Sequence, residues 1–127
     1  MARLSSFIPF NFEEGVPYIS ITNNGLTFNK SVIMKMEYPS HVVLLIDALN
    51  KQIAIQACDE TTPRATAFYK ERNSGVLSVR WNSRDLLNTL SRIMGWNLEE
   101  SAFRATGELI PEENAMIFDL ASATPMA

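Results

Sequence analysis

Cysteine and histidine occur once each in this chain and glycine five times, and each scarcity removes a class of chemistry. The single thiol, Cys58, cannot close an internal disulfide, which fits a reducing compartment. With His41 as the only histidine, a metal centre or a Cys–His nucleophile lacks partners. Gly15, Gly25, Gly75, Gly95 and Gly107 stand isolated, so there is no glycine-rich loop to cradle a phosphate. No apolar run approaches membrane-spanning length, and the N-terminus lacks a signal peptide's basic start and long apolar middle. The expected location is cytoplasmic, with no membrane partner. A formal net charge of −3 leaves no global basic field for nucleic acid. Asp47, Asp59, Glu60, Glu112 and Glu113 fall in turn-like segments, where carboxylates stabilise turns and solubilise chain ends. No catalytic residue, cofactor or metal is expected, and the chain does not read as an enzyme.

What is present is a run of short elements. Tyr18-Ile19-Ser20-Ile21-Thr22 alternates apolar and polar residues, as a half-buried strand does. Asn23-Asn24-Gly25 follows, and Asn-Gly predicts a type I′ hairpin turn before Leu26-Thr27-Phe28 resumes the alternation. Asn29 can cap a short helix with Val32, Ile33 and Met36 on one side. His41 to Asp47 reads as a strand, with His41 a surface or satisfied loop histidine at its start. Gln52 to Ala57 closes the unit, with Cys58 a partly buried thiol at its end.

Polar residues from Cys58 to Pro63 read as a linker, and a similar series follows. Ala65 to Lys70 is a candidate strand, Glu71 to Gly75 a turn and Val76 to Trp81 a second strand. Asn82 or Ser83 then caps a helix from Arg84 to Met94. Its Leu86, Leu87, Leu90, Ile93 and Met94 form one apolar stripe, and Gly95 stands at its C-terminus. Strands from Ala102 to Leu109 and from Ala115 to Leu120 flank a turn at Pro111-Glu112-Glu113-Asn114. The fold expected is α+β: a small β-barrel-like sheet with two short helices, in two strand-turn-strand-helix-strand-strand halves. The divisions are an N-terminal lead-in, 1–17, whose Phe7, Ile8, Phe10 and Phe12 dock on the core; a first half, 18–60; a second half, 61–120, as a divergent internal repeat; and a loose tail, 121–127.

On Ile19-Ser20-Ile21, the turn at Gly25, Leu26-Thr27-Phe28 leading into the helix, Val42 to Asp47 and Ile53-Ala54-Ile55, the first half resembles the AbrB/SpoVT/MazE-like swapped-hairpin domain family. The resemblance runs from Tyr18 to about Asp59. It implies interleaved hairpins that form one small barrel, usually across a homodimer. It also implies a transcription regulator or antitoxin that binds DNA through basic residues on the first strands and on the loop leading into the helix. Where family members carry charge around the turn, this chain has Asn23, Asn24 and Leu26. Where they commonly have proline before the helix, it has Asn29. Lys30 and Lys35 are the cations retained there.

Charge gathers instead in the second half. From Arg64 to Arg104, seven lysines and arginines face four carboxylates. The candidate DNA-binding surface is therefore Lys30, Lys35, Arg72, Arg80 and Arg84, contacting phosphates and reading shape. Trp81 and Trp96 flank the second helix and are expected to pack it onto the sheet. Two partner classes remain open: double-stranded DNA, or a protein bound by a non-enzymatic interaction module that has kept the fold and lost DNA binding. The chain is either a monomer with an internal repeat or a homodimer.

Overall fold

The structure, a computed structural model, describes residues 3–9, 15–71 and 77–126. The elements run in order as strands Tyr18–Thr22 (β1) and Gly25–Phe28 (β2), helix Lys30–Lys35 (α1), strands His41–Asp47 (β3), Gln52–Cys58 (β4), Thr66–Ala67 (β5) and Val79–Trp81 (β6), helix Arg84–Met94 (α2), and strands Phe103–Ile110 (β7), Ala115–Asp119 (β8) and Thr124–Pro125 (β9). All nine strands belong to one antiparallel sheet in the order β5-β3-β4-β8-β7-β1-β2-β6, with β9 beside β7.

Alternation decides which side of each strand is buried. Ile19 and Ile21 of β1, Leu26 and Phe28 of β2, Ile53 and Ile55 of β4, and Met116 and Phe118 of β8 are all buried. Val32 and Ile33 of α1, Met36 at its C-cap, and Leu87 and Leu90 of α2 cover them. Full burial contributes about 1.5–3 kcal/mol for each such side chain. Phe28 lies at the centre, edge-to-face with Trp81 at 4.9 Å, Phe68 at 5.0 Å and Phe118 at 5.9 Å. Trp96 stacks on Phe103 at 4.1 Å. Both tryptophans thus pack against core aromatics.

The sheet curls because β7 serves two sets of partners. Its first residues pair with β1 and β9, and its last, Gly107 to Ile110, pair with β8. At the changeover a Cβ on Gly107 would lie 2.6 Å from Met116 Sδ and 2.7 Å from Phe118 Cε1, so the missing side chain leaves room for those two core side chains.

The pairings have an internal pattern. When residues 18–60 and 61–120 are exchanged, β2·β6 and β4·β8 map onto themselves, β1·β7 maps onto β3·β5, and β3·β4 maps onto β7·β8. The hairpin β1·β2 alone has no counterpart, because β5 and β6 lie at opposite ends of the strand order. The link between them is a hydrogen bond donated by Trp81 Nε1 to the Ala67 carbonyl, 3.3 Å. The expected barrel is therefore an open, curled half-barrel.

Other expectations need correction. The first turn is not type I′: Asn23 and Asn24 form the loop between paired Thr22 and Gly25, and the positive φ, +149°, falls on Gly25. The strand expected at Ala65–Lys70 shrinks to Thr66–Ala67, and of the one expected at Val76–Trp81 the described residues form strand at Val79–Trp81, Val76 lying outside them. Phe7 and Ile8 do not dock on the core, being 69% and 87% exposed. The tail is ordered: Leu120–Ser122 forms a 3₁₀ turn, and Thr124–Pro125 joins the sheet edge, where proline's missing N–H is tolerated. Phe10, Phe12 and the Asn73-Ser74-Gly75 turn lie outside the described residues.

Candidate nucleic-acid interface

The side of β7, β1, β2 and β6 that faces away from the core carries the residues left over by the apolar alternation. Register aligns them. Arg104 pairs with Ser20, Ser20 with Thr27 and Thr27 with Arg80. On the far side of Arg104, Thr124 of β9 extends the row. The row across the sheet is thus Thr124–Arg104–Ser20–Thr27–Arg80, with arginine on both flanks and hydroxyls between. No carboxylate interrupts it. Arg80 and Arg104 are exposed, and Ser20 and Thr27 are half-buried.

Both flanking guanidinium groups are held. The Arg104 guanidinium carbon lies 4.0 Å from the centroid of the Tyr18 ring, a cation–π contact that orients it. Arg80 Nε donates to Thr27 Oγ1 at 3.3 Å. Adjacent strands are about 4.8 Å apart, so three spacings separate the two arginine backbones by roughly 14 Å.

Arg84, the first residue of α2, reaches the tip of the β1–β2 hairpin. Its Nη1 donates to Asn23 Oδ1 at 3.1 Å and its Nη2 to the Asn23 carbonyl at 2.9 Å. It therefore straps the helix to the hairpin.

The other expected residues are dispersed. Lys30 is exposed at the first position of α1. Lys35 ends that helix and lines a separate depression with Met36, Glu37, Leu109, Pro111 and Asn114, so its surroundings include a carboxylate. Arg72 lies outside the described residues. Of the four that are described, the structure places only Arg80 in the outer row; Arg84 is engaged at the hairpin tip and lines a depression that includes Glu99, and Lys35 lies apart from both. Sequence reasoning missed Arg104, Tyr18, Ser20 and Thr27 as neighbours of Arg80. Alternation within β1 and β7 marks each as outward-facing, but their juxtaposition depends on register between strands distant in sequence.

Elsewhere, His41 stands opposite Cys58 in the β3·β4 register, and its Nδ1 lies 3.1 Å from Ser40 Oγ. Among the described residues no group of three or more His, Cys, Asp or Glu side chains is arranged to hold a metal ion. Nor is any helix among them long and apolar enough to cross a membrane. A cavity of about 400 Å³ opens beside β6, lined by Leu44, Thr66, Arg80, Trp81, Asn82, Ser83 and Leu86. No family model, no curated protein and no solved structure matches the chain.

Proposed function

We propose that the chain is a small cytoplasmic DNA-binding regulator that grips duplex DNA with the outer face of β7, β1, β2 and β6. The observation that carries this reading is the Arg104–Ser20–Thr27–Arg80 row, free of carboxylates in a chain of net charge −3. Its two arginines, roughly 14 Å apart at the backbone, stand on the outer strands of a four-strand face. In this arrangement Arg80 and Arg104 contact backbone phosphates, while Ser20 and Thr27 between them meet the backbone or bridging water. Phosphate contacts supply affinity and orientation, and the hydroxyls add hydrogen bonds to the backbone.

The reading includes a finer statement about the fold: two swapped-hairpin-like halves of one chain interleave to build a single unit. Its support is the exchange pattern of the pairings, in which the first strand of each half pairs with the third strand of the other. The second half has then kept β6 and α2 for the DNA surface while its own hairpin has opened.

The test is fluorescence anisotropy with a mixed-sequence duplex at low and physiological salt. Salt-sensitive binding is expected, weakened about tenfold or more by Arg80→Ala/Arg104→Ala, since each lost phosphate contact also reduces the salt slope. Absence of binding at low salt, or equal binding by the double variant, would overturn the assignment.

A further inference from the structure

The opened hairpin leaves a seam in the sheet, and its two borders are unequal. On one side is the edge of β6 away from β2, which has no strand partner among the described residues and where Arg80 stands. On the other is β3. All of β3 pairs with β4, but on its other edge only His41 and Val42 have partners, in β5. From Val43 to Asp47 that edge has no strand partner among the described residues. Natural edges are blunted by lysine, proline, bulges or covering elements. Val43-Leu44-Leu45-Ile46 has no charge or proline, and its register with β4 is continuous, without a bulge. Leu45 and Ile46 are 46% and 41% exposed.

The seam also has depth. Leu44 from β3 lines one cavity of about 400 Å³ with Arg80 and Trp81 of β6 and Leu86 of α2. The apolar wall is Leu44, Trp81 and Leu86. The polar rim is Thr66, Arg80, Asn82 and Ser83, with one cation and no carboxylate.

We propose that this seam receives an extended acidic peptide segment of a partner protein by strand addition. The partner backbone takes up the free donors and acceptors of Val43 to Asp47. One apolar side chain enters the cavity, and a flanking carboxylate meets Arg80. Each feature constrains the occupant: an unpaired edge calls for an extended backbone, the apolar wall for a hydrophobic anchor, and the lone cation for an acidic neighbour. The inference does not rest on DNA binding, but both readings use Arg80, so peptide and DNA would compete for it.

The probe is a capped, fluorescein-labelled heptapeptide alternating glutamate with valine and leucine, titrated against the full chain. Two further peptides are compared: one N-methylated at alternate backbone nitrogens, and one with lysine in place of glutamate. Saturable binding at about 10–100 µM is expected. It should be lost on N-methylation, weakened about tenfold or more by the lysine peptide and by Arg80→Glu, and accompanied by slower exchange of alternate amides from Val43 to Asp47. Leu44→Lys, with a native circular dichroism spectrum, should also abolish it. No saturation by about 1 mM, or equal binding of the N-methylated peptide, would overturn the proposal. So would slow exchange at those amides without peptide in a chain that sediments as a dimer, which would assign the edge to a second copy.

Discussion

Gly25 shows how one residue can be fixed from two directions. Its φ of +149° disfavours any side chain, and an added Cβ would lie 2.8 Å from the Trp81 carbonyl oxygen and 3.1 Å from Arg80 Cγ. Sequence marked it as a turn glycine. The second constraint, from β6, was invisible because β6 is far along the chain. Gly25→Ala should therefore cost about 1–3 kcal/mol, the scale of backbone strain, and disturb the seating of Arg80 as well. Urea denaturation checks the first effect, and an unchanged midpoint would contradict it.

Asp47 and Asp59 act locally. Asp47 accepts from the Asn50 side-chain amide at 2.7 Å and from its backbone N–H at 3.1 Å, and these bonds hold its carboxyl below the ordinary 3.8. Asp59 is lowered from the same value, first by the Thr61 hydroxyl, then by the Thr61 N–H and the Thr62 hydroxyl. A carboxyl depressed in the folded state adds stability that is complete above its unfolded value and lost as pH falls through the folded one. The turns at 47–50 and 59–62 should thus loosen only in acid below about pH 4. Following the two carboxyl carbons by NMR against pH checks this; titration at or above the ordinary value would refute it.

Helix ends were legible at the level of elements, because their chemistry is local. Asn29 and Ser83 cap the two helices, and Gly95 ends α2 with φ +70°. The two caps are unequal for a reason beyond local sequence. Ser83 Oγ accepts from Leu86 N. Asn29 Oδ1 accepts from Val32 N at 3.2 Å and from Tyr18 N at 3.0 Å, while its Nδ2 donates to the Val16 carbonyl at 2.9 Å. One side chain thereby fixes α1 and the start of β1, where Tyr18 seats Arg104. Ser83→Ala should cost about 1 kcal/mol, and Asn29→Ala about 2 kcal/mol or more because it also leaves strand groups unpaired. Thermal unfolding orders the two, and equal losses would mean that the strand bonds contribute nothing. Asn29→Asp, which keeps the acceptor and loses the donor, should fall between.

The short strands were less legible. Thr66–Ala67 and Thr124–Pro125 are strands because of what lies beside them, not because of β-propensity, which ranks proline low. Their partners, β3 and β7, are remote in sequence. The same limit separated Arg104 from Arg80: both lie in the basic stretch, but only pairing through β1 and β2 puts them in one row.

At the scale of the whole molecule, the order of elements in each half could be read from hydrophobic period and turn chemistry, whereas the interleaving could not. Four of the sheet's pairings, β1·β7, β2·β6, β3·β5 and β4·β8, join one half to the other. Cutting the chain between them therefore exposes strand edges on both pieces rather than separating two domains. Within the first half, β1·β2 and β3·β4 are hairpins that no strand of that half joins to each other. An isolated hairpin is marginal in water. Fragments 1–62 and 63–127, divided in the exposed loop before β5, should each show little cooperative structure alone or self-associate through the bared edges. Mixed or co-expressed, they should recover a one-to-one complex with the circular dichroism and DNA affinity of the intact chain. Light scattering after size exclusion, with urea unfolding of each species, makes the comparison. Cooperative unfolding of either fragment as a monomer would show that the cross-half pairings are dispensable. A recovered complex would show that they suffice to assemble the sheet without a covalent link.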